Sequence, residues 1–261
     1  DLHSFPTRRS SDLFVMGNIV YYNKKRVEID IKIDKPLARP LRIVAISDLH
    51  LGYGIKKDEL EGWIGLINAE NPDIVLIAGD VVDNFAKPLF EDKVYKTLRR
   101  IKARYGVYMA LGNHEYIGGK IDRNLNFLSQ ANVQVLRDSA TLIDNTFYII
   151  GRDDASRKYR NSLANITDRL DHTKPMIVLD HQPSGFEEAQ KCGIDLLLSG
   201  HTHGGQVFPI SLVVKAVFKH SYGYHTANGT HFYITSGLGI WGGKFRIGSR
   251  SEYVVIDLQG Q

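Results

Sequence analysis

The chain has 261 residues, of which 43% are hydrophobic, and this is enough for one large domain with a buried core. The formal net charge is +4 and the isoelectric point is near 9.0, a mildly basic balance that fits an anionic substrate or a membrane surface without establishing either. Cys192 is the single cysteine, so the composition excludes an intrachain disulfide and metal sites built from thiolates.

The first thirteen residues, DLHSFPTRRSSDL, resemble the in-frame translation of a common short-read sequencing adapter. We treat residues 1–13 as a non-native tail and expect the native N-terminus to be missing, the alternative being a genuine disordered tail. Residues 14–40 follow as a leader and a first strand. The apolar run at 14–20 is shorter than the about 20 residues of a membrane helix, but the tyrosines and basic residues at 21–26 resemble an interfacial flank. Both a truncated membrane anchor and an ordinary leader fit this segment.

Strands and helices alternate along the rest of the chain. Residues 27–33 alternate between apolar and charged side chains and predict a half-exposed strand. Short apolar runs predict further strands at 41–47, 73–78, 107–111, 133–136, 141–143, 147–150, 176–179, 194–199, 222–225, 231–235 and 253–258. Apolar stripes at helical spacing predict helices at 60–67, 90–101, 121–128, 163–170 and 186–191. Helices interleaved with buried strands favour one layered α/β domain over residues 41–261.

Five short motifs follow predicted strands in a fixed order. They are Asp48-x-His50, Gly79-Asp80-x-x-Asp83, Gly112-Asn113-His114-Glu115, a lone His181, and Gly200-His201-x-His203. In α/β sheets, ligands bind beyond the carboxyl ends of the strands, so side chains that are distant in sequence can meet in one pocket there. We therefore expect these five motifs to converge.

The residue types in these motifs point to metal binding. The donors are carboxylate, amide and imidazole groups without sulfur, a set that suits Mn, Fe or Zn. Without metal ions, so many carboxylate and imidazole groups facing one cleft would be poorly compensated. Two divalent ions with Asp48 and Asp80 leave a net positive charge, which attracts a phosphate. Glycines just before Asp80, Asn113 and His201 permit tight turns where the chain leaves the sheet.

From about residue 41 to residue 258, these motifs resemble the calcineurin-like metallophosphoesterase family. The resemblance implies a four-layer α/β/β/α sandwich with two mixed central sheets. It implies one metal ion held by Asp48, His50, Asp80 and His203, and a second held by Asp80, Asn113, His181 and His201. It also implies that a hydroxide bridging the two metals attacks phosphorus in a phosphodiester or pyrophosphate. His114 would stabilise the transition state or protonate the leaving oxygen, with Asp83 and Glu115 as supporting residues.

Three further segments, 200–206, 237–242 and 246–252, resemble a membrane-anchored bacterial branch of the family, some of whose members act on UDP-2,3-diacylglucosamine. Gly243-Lys244 departs from the proline-containing version of this pattern. The resemblance implies a phosphorylated small molecule or a lipid-linked nucleotide as substrate, and association with a membrane surface through the missing N-terminal anchor. The apolar segment Phe208–His220 is either part of the core or a wall that accepts acyl chains or touches a membrane.

Two other functions stay open. A non-catalytic scaffold on the same fold is one alternative, although such proteins tend to lose ligands and this chain retains them all. A nuclease or nucleotide phosphodiesterase is the other. The basic clusters at 99–102 and 157–160 fit solvated faces, and the sequence has no aromatic and basic platform for bases, so nucleic acid is not an expected partner.

Overall fold

The computed structural model describes residues 5–117 and 119–261, with side chains from residue 11 onward. Residues 1–4 of the predicted non-native tail therefore lie outside the described part. The helices are α1 Phe5–Tyr22, α2 Lys57–Ala69, α3 Lys87–Glu91, α4 Val94–Leu98, α5 Ile121–Gln130, α6 Leu163–Thr167, α7 Phe186–Lys191 and α8 Ile210–Val217. The strands are β1 Lys25–Lys32, β2 Leu41–Ile46, β3 Ile74–Ala78, β4 Val107–Ala110, β5 Val133–Leu136, β6 Ser139–Ile143, β7 Phe147–Gly151, β8 Met176–Leu179, β9 Leu196–Ser199, β10 Gly223–Ala227, β11 Thr230–Ile234 and β12 Glu252–Gln259.

The strands form two six-stranded sheets. The first has the order β1-β12-β2-β3-β4-β5, and all its pairs are parallel except β12 with β2. The second has the order β10-β11-β9-β8-β7-β6, with antiparallel pairs only at its two edges. Both sheets are therefore mixed, as the resemblance implies.

Three apolar layers hold the sheets and helices together. Between the two sheets, side chains such as Ile43 and Leu76 pack against Ile149 and Leu198. On the outer face of the first sheet, a second cluster includes Trp63 of α2 together with residues of α4 and α5. On the outer face of the second sheet, a smaller cluster joins α6 and α7 to the strands. The order of layers is helix, sheet, sheet, helix, so the four-layer sandwich is confirmed.

Most predicted elements coincide with those observed, but the helix expected over 90–101 is wrong. It is two short helices, α3 and α4, because Lys93 between them adopts a left-handed backbone with φ of 52°. That conformation interrupts the series of i to i−4 hydrogen bonds. The helix expected over 163–170 ends early, at Thr167, and the amide of Leu170 closes a turn on the Thr167 carbonyl.

The apolar segment Phe208–His220 lies on the surface rather than in the core. Its central part forms α8, in which no residue is buried, and Leu212, Val213 and Val217 are 56%, 62% and 69% exposed. The leader also forms a helix, α1, and Phe14, Val15, Met16 and Ile19 on it are exposed. Among the described residues, no helix combines the length and the apolar character needed to cross a bilayer.

Candidate metal centre

The structure brings all the predicted site residues to one edge of the sandwich. In the first sheet, Asp48 follows β2, Asp80 follows β3 and Asn113 follows β4. In the second sheet, His181 follows β8 and His201 follows β9. The carboxyl ends of these five strands meet, so residues up to 155 positions apart in sequence face one another.

The backbone is unusual at most of the candidate ligands. Five of the seven have a left-handed backbone, with φ between 47° and 69°, namely Asp48, His50, Asp80, His201 and His203. Non-glycine residues rarely adopt this conformation, and each instance costs on the order of 1–3 kcal/mol unless the surroundings impose it. The turns that end the strands therefore hold their polar side chains at an energetic cost, a pattern typical of functional sites.

Glycines allow the close approach between these turns. A Cβ atom on Gly79 would meet the His181 ring, and one on Gly112 would meet the Asp80 carboxylate. A Cβ atom on Gly200 would likewise meet the Asp48 carboxylate. Glycine is therefore required before these ligands for two reasons: it permits the turn, and it leaves room for the neighbouring side chain.

One group of candidate ligands consists of Asp48, His50 and His203, whose donor atoms lie within 4.8 Å of one another. The Nε2 atoms of the two histidines are 3.2 Å apart. The Asp48 Oδ1 atom is 3.5 Å from Nε2 of His203 and 3.9 Å from Nε2 of His50. All three side chains are buried, and the Nδ1 atoms of both histidines have no hydrogen-bond partner among the described residues.

The second group consists of Asp80, His181 and His201, again within 4.8 Å of one another. Asp80 Oδ2 is 3.1 Å from Nε2 of His181, which also lies 3.2 Å from Oδ1 of Asn113. The same Asp80 oxygen is 3.9 Å from Nε2 of His50, in the first group. Asp80 therefore lies between the two groups.

The tautomer of His181 is set by its surroundings. Its Nδ1 atom donates a hydrogen bond of 2.7 Å to the carbonyl oxygen of Ala78. In the neutral ring, Nε2 then carries the lone pair and faces Asp80 and Asn113. This is the arrangement that metal-binding histidines show in proteins, where the second ring nitrogen donates to a carbonyl or carboxylate.

The electrostatics of the centre rest on the burial of several ionisable groups. Burial would raise the pKa values of Asp48 and Asp80, but the facing imidazoles, chiefly His203 for Asp48 and His181 for Asp80, lower both. Burial lowers the pKa of His203 to about 3. Burial opposes protonation of His181, but the charges of Asp80 and Asp48 outweigh it and raise the pKa of that ring well above its usual value. Carboxylate oxygens that face imidazole nitrogens are a nitrogen and oxygen donor set that fits divalent cations.

His114 lies beside this centre. Its backbone amide donates a 2.9 Å hydrogen bond to Asp80 Oδ1, and its Nδ1 donates one of 2.7 Å to the carbonyl oxygen of Asp83. Burial opposes protonation of the ring, but hydrogen bonding to Asp83 and the charge of Asp80 outweigh it and raise the pKa of His114. No hydrogen bond within the described residues engages Nε2 of His114.

Asp83 and Glu115 contact the candidate ligands or the turns that hold them. Asp83 Oδ1 is 3.2 Å from Nδ1 of His114 and 3.5 Å from Nδ1 of His50, and it can therefore orient both rings. The three also form a candidate ligand group of their own. The buried Glu115 carboxylate accepts hydrogen bonds from the amides of Asp80, Val82 and Gly112 at 2.8–3.0 Å, which ties the turn after β3 to the turn after β4.

Two residues near the centre received no assigned function from the sequence. The buried Arg246 donates to the carbonyl oxygens of His203, Ser236 and Gly239 at 2.7–2.9 Å. The half-exposed Trp241 lines a cavity of about 200 Å³ together with Asp80, Asn113, His114, His201 and His203. Both residues lie in segments that resemble the membrane-anchored branch. Arg246 contacts backbone carbonyls, which every residue carries, so a pattern of metal-binding side chains does not reveal it.

Residues 41–205 match the family described as calcineurin-like phosphoesterase. An uncharacterized metallophosphoesterase of Campylobacter jejuni is 35% identical over 240 residues, covering 89% of this chain and 63% of that protein. One of Aquifex aeolicus is 34% identical over 234 residues, covering 87% of this chain and 88% of the relative. A protein of Danio rerio named as a transmembrane protein with a metallophosphoesterase domain is 31% identical over 252 residues, covering 90% of this chain and 57% of that one.

The chain thus spans less than two thirds of the C. jejuni and D. rerio relatives. The matched region contains all the turns that carry the candidate ligands. The family match covers more than half of the chain, and the sandwich has the sheets and the strand-end site that the resemblance implied. The chain belongs to the calcineurin-like phosphoesterase family.

Proposed function

We propose that this protein is a metal-dependent hydrolase of phosphoester bonds with a dinuclear centre. The observation that carries the proposal is the position of Asp80, whose Oδ2 atom lies 3.1 Å from His181 and 3.9 Å from His50. A carboxylate that lies between two groups of nitrogen and oxygen donors is the arrangement by which two nearby cations share one ligand.

The residues of the two groups divide between two ions. Asp48, His50, Asp80 and His203 would hold the first, and Asp80, Asn113, His181 and His201 would hold the second. When bound, such ions polarise phosphoryl oxygens and lower the pKa of a coordinated water, and this suits a phosphodiester or pyrophosphate substrate. The donor set favours Mn, Fe or Zn.

The chain itself supplies the proton for the leaving oxygen. The Asp83 carbonyl accepts from Nδ1 of His114 and fixes the ring, so Nε2 faces the cavity that the candidate ligands line. Its raised pKa favours the protonated imidazole, which can donate to the developing negative charge on a leaving oxygen.

Hydrolysis of bis(p-nitrophenyl) phosphate with added Mn²⁺ tests this function. We expect activity in the unmodified protein and its loss in Asp80→Asn, which keeps the shape of the side chain but removes its charge. Lys96→Ala, on the exposed face of α4, is the matched control and should retain full activity. Equal rates in Asp80→Asn and the unmodified protein would contradict the proposal.

For the substrate, we propose a lipid-linked nucleotide such as UDP-2,3-diacylglucosamine. In support, the surface helix α8 packs against the turn that holds His203, and its exposed side chains are mostly apolar. Phe218, which follows α8, has its ring centroid 6.0 Å from that of His201. An apolar wall that reaches the candidate ligands suits a substrate with acyl chains next to its phosphates.

The acyl chains provide the test of this substrate. Detergent-dispersed UDP-2,3-diacylglucosamine should be hydrolysed much faster than UDP-glucosamine, and Phe218→Ser should reduce that preference more than it reduces turnover of UDP-glucosamine. Equal rates on the two compounds would overturn the lipid substrate but leave the phosphoesterase proposal intact.

We also propose that the protein acts at a bacterial membrane. The exposed apolar side chains of α1 and α8 support this, as do the bacterial relatives in C. jejuni and A. aeolicus. After separation of membranes from soluble protein, the product of the complete gene should be recovered with the membranes. Its recovery in the soluble fraction would contradict this location.

A further inference from the structure

A second, larger cavity lies behind the turn that holds His203. It has a volume of about 450 Å³, which is in the usual range for small-molecule sites. It is lined by the C-terminal part of α1, by α8 and by the loop at 246–250. It shares no lining residue with the cavity at the candidate metal centre.

The cationic side chains around this cavity form no ion pair with any residue that the structure describes. Lys25, Lys215, Arg246 and Arg250 all line it, and no Asp or Glu does. Among the described residues, no carboxylate oxygen lies within 4.0 Å of a charged nitrogen of any of these four. Glu252, which lies nearby, is engaged instead by the hydroxyls of Tyr222 and Tyr233.

Arg246 differs from a surface cation because it is buried, so its charge is poorly solvated by water. Its side chain is 1% exposed, and its Nε atom has no hydrogen-bond partner in the described part of the chain. Asp48 and Glu252 attract this guanidinium without contacting it directly. Burial of a cation is costly, and an anion in the cavity would offset that cost further.

Hydroxyl groups complete the lining. Ser211 and Ser221 reach the cavity, and no hydrogen bond within the described residues engages either hydroxyl. Hydroxyls beside lysine and arginine are typical donors to phosphate oxygens. The chemistry of the cavity therefore fits a phosphate group.

The surface next to the cavity identifies the source of that phosphate. Ser211 and Lys215 come from α8, and Val20 comes from α1, so both helices with exposed apolar side chains border the cavity. A surface that combines apolar side chains with unpaired basic residues is complementary to an anionic bilayer, whose headgroups lie just above its acyl region.

We propose that this cavity binds the phosphate of an anionic phospholipid headgroup while the exposed side chains of α8 enter the acyl region of the bilayer. This goes beyond the proposed hydrolysis and does not depend on it. It gives the protein a docking site for bulk lipid that is separate from the candidate metal centre.

Vesicle co-sedimentation of the full chain tests the site, in the presence of a chelator so that catalysis cannot contribute. The probes are vesicles of phosphatidylcholine mixed with phosphatidylglycerol and vesicles of phosphatidylcholine alone. We expect clear binding to the mixed vesicles and at least about tenfold weaker binding to the neutral ones, since each basic residue near an anionic surface contributes about 1 kcal/mol.

Charge reversal in the cavity is the decisive variant. Lys215→Glu with Arg250→Glu should weaken binding to the mixed vesicles at least about tenfold. Lys96→Glu with Lys102→Glu changes the net charge equally, away from the cavity, and should bind as the unmodified protein does. Unchanged binding by the cavity variant, or equal binding to both kinds of vesicle, would overturn the proposal.

Two further measurements distinguish a lipid headgroup from a soluble anion. Leu212→Asp with Val213→Asp, both exposed positions, should also release the protein from mixed vesicles while thermal unfolding shows that it stays folded. Titration with inorganic phosphate identifies the source of the anion. If the unmodified protein binds inorganic phosphate through Lys215 and Arg250 but does not bind vesicles, the cavity is a site for a soluble anion and the lipid assignment is wrong.

Discussion

Nδ1 of His181 donates a 2.7 Å hydrogen bond to the carbonyl oxygen of Ala78, and this bond joins the end of β8 in the second sheet to the end of β3 in the first. Much of the contact between the two sheets is apolar packing, which does not fix direction as a hydrogen bond does. The bond therefore does more than select a tautomer. It fixes the position of a candidate ligand from one sheet relative to Asp80 on the other.

Replacing His181 by Asn should reduce bound metal from two ions to one per chain and reduce phosphodiesterase activity by at least about 100-fold. Loss of an outer partner of a metal ligand alone costs about 10–100-fold, and here a ligand and its anchoring bond are both removed. Metal content per chain and kcat/KM are the measurements. His172→Asn, an exposed position on the loop after α6, is the control and should change neither quantity.

Replacing His114 by Gln should lower kcat by about 100-fold to 10,000-fold, the usual contribution of a general acid. Metal content should stay at the value of the unmodified protein, because neither of the two proposed ligand sets includes His114. A variant that loses both activity and metal would show instead that His114 helps to hold an ion.

Gly200→Ala should disrupt metal binding, because its Cβ atom would collide with the Asp48 carboxylate and the Ser47 side chain. The free energy of unfolding should fall by about 1–3 kcal/mol, as is usual when atoms are added to a filled site. Gly65→Ala is the matched control, since nothing lies within 4 Å of a Cβ atom there and the residue is inside α2. It should stabilise the protein by roughly 0.5–1 kcal/mol without affecting metal content.

Arg246→Lys should weaken metal binding at the group that contains His203 by about 10–100-fold, because one ammonium cannot replace the planar group that contacts three carbonyl oxygens. Calorimetric titration with metal ions measures the change in affinity. Arg99→Lys, at an exposed position after α4, should bind metal normally. Normal affinity in the Arg246 variant would show that the turn at His203 is held by other contacts.

Lys24 should make stability depend on pH. Burial lowers its pKa from 10.5 to about 7, with Arg246 and Lys244 acting in the same direction and Glu59 opposing them. Its Nζ atom has no hydrogen-bond partner among the described residues and lies over the rings of Tyr21 and Trp63. Between these two pKa values the unfolded chain binds more protons, so this residue makes the folded state more stable as pH rises.

Lys24→Met removes this contribution. The free energy of unfolding of the variant should exceed that of the unmodified protein by the largest amount below pH 7. This difference should become smaller as pH rises towards 10.5. Urea unfolding at several pH values measures the difference, with Lys96→Met as the exposed control. A difference that does not change with pH would contradict the lowered pKa.

The convergence of the five motifs could be predicted from the sequence because each motif follows a short apolar strand, and parallel strands end at a common edge. Asp80 and His181 are a clear case, since neither their separation in sequence nor their type requires contact, yet the strand ends bring them together. The layered fold could be predicted for a related reason, because buried strands alternating with amphipathic helices have few ways to cover their apolar faces.

The rest depended on tertiary contacts that no local pattern encodes. The apolar run at 208–218 fits a core segment equally well until the structure shows that nothing described covers α8. The break at Lys93 is a backbone conformation that the apolar residues at helical spacing over 90–101 do not reveal. Arg246 acts on carbonyl oxygens, which every residue carries, so its partners could not be read from side-chain types.

The position of β12 also determines when the first sheet, and with it the candidate metal centre, can be completed during synthesis. Residues 252–259 insert between β1 and β2, so the sheet that carries Asp48, Asp80 and Asn113 is incomplete until that segment has left the ribosome. Nascent chains can assemble β2 to β5 earlier, but with β2 exposed as an unpaired edge. Loading of cofactor should therefore follow the release of residues 252–259, and the unfinished edge is where a chaperone would be needed.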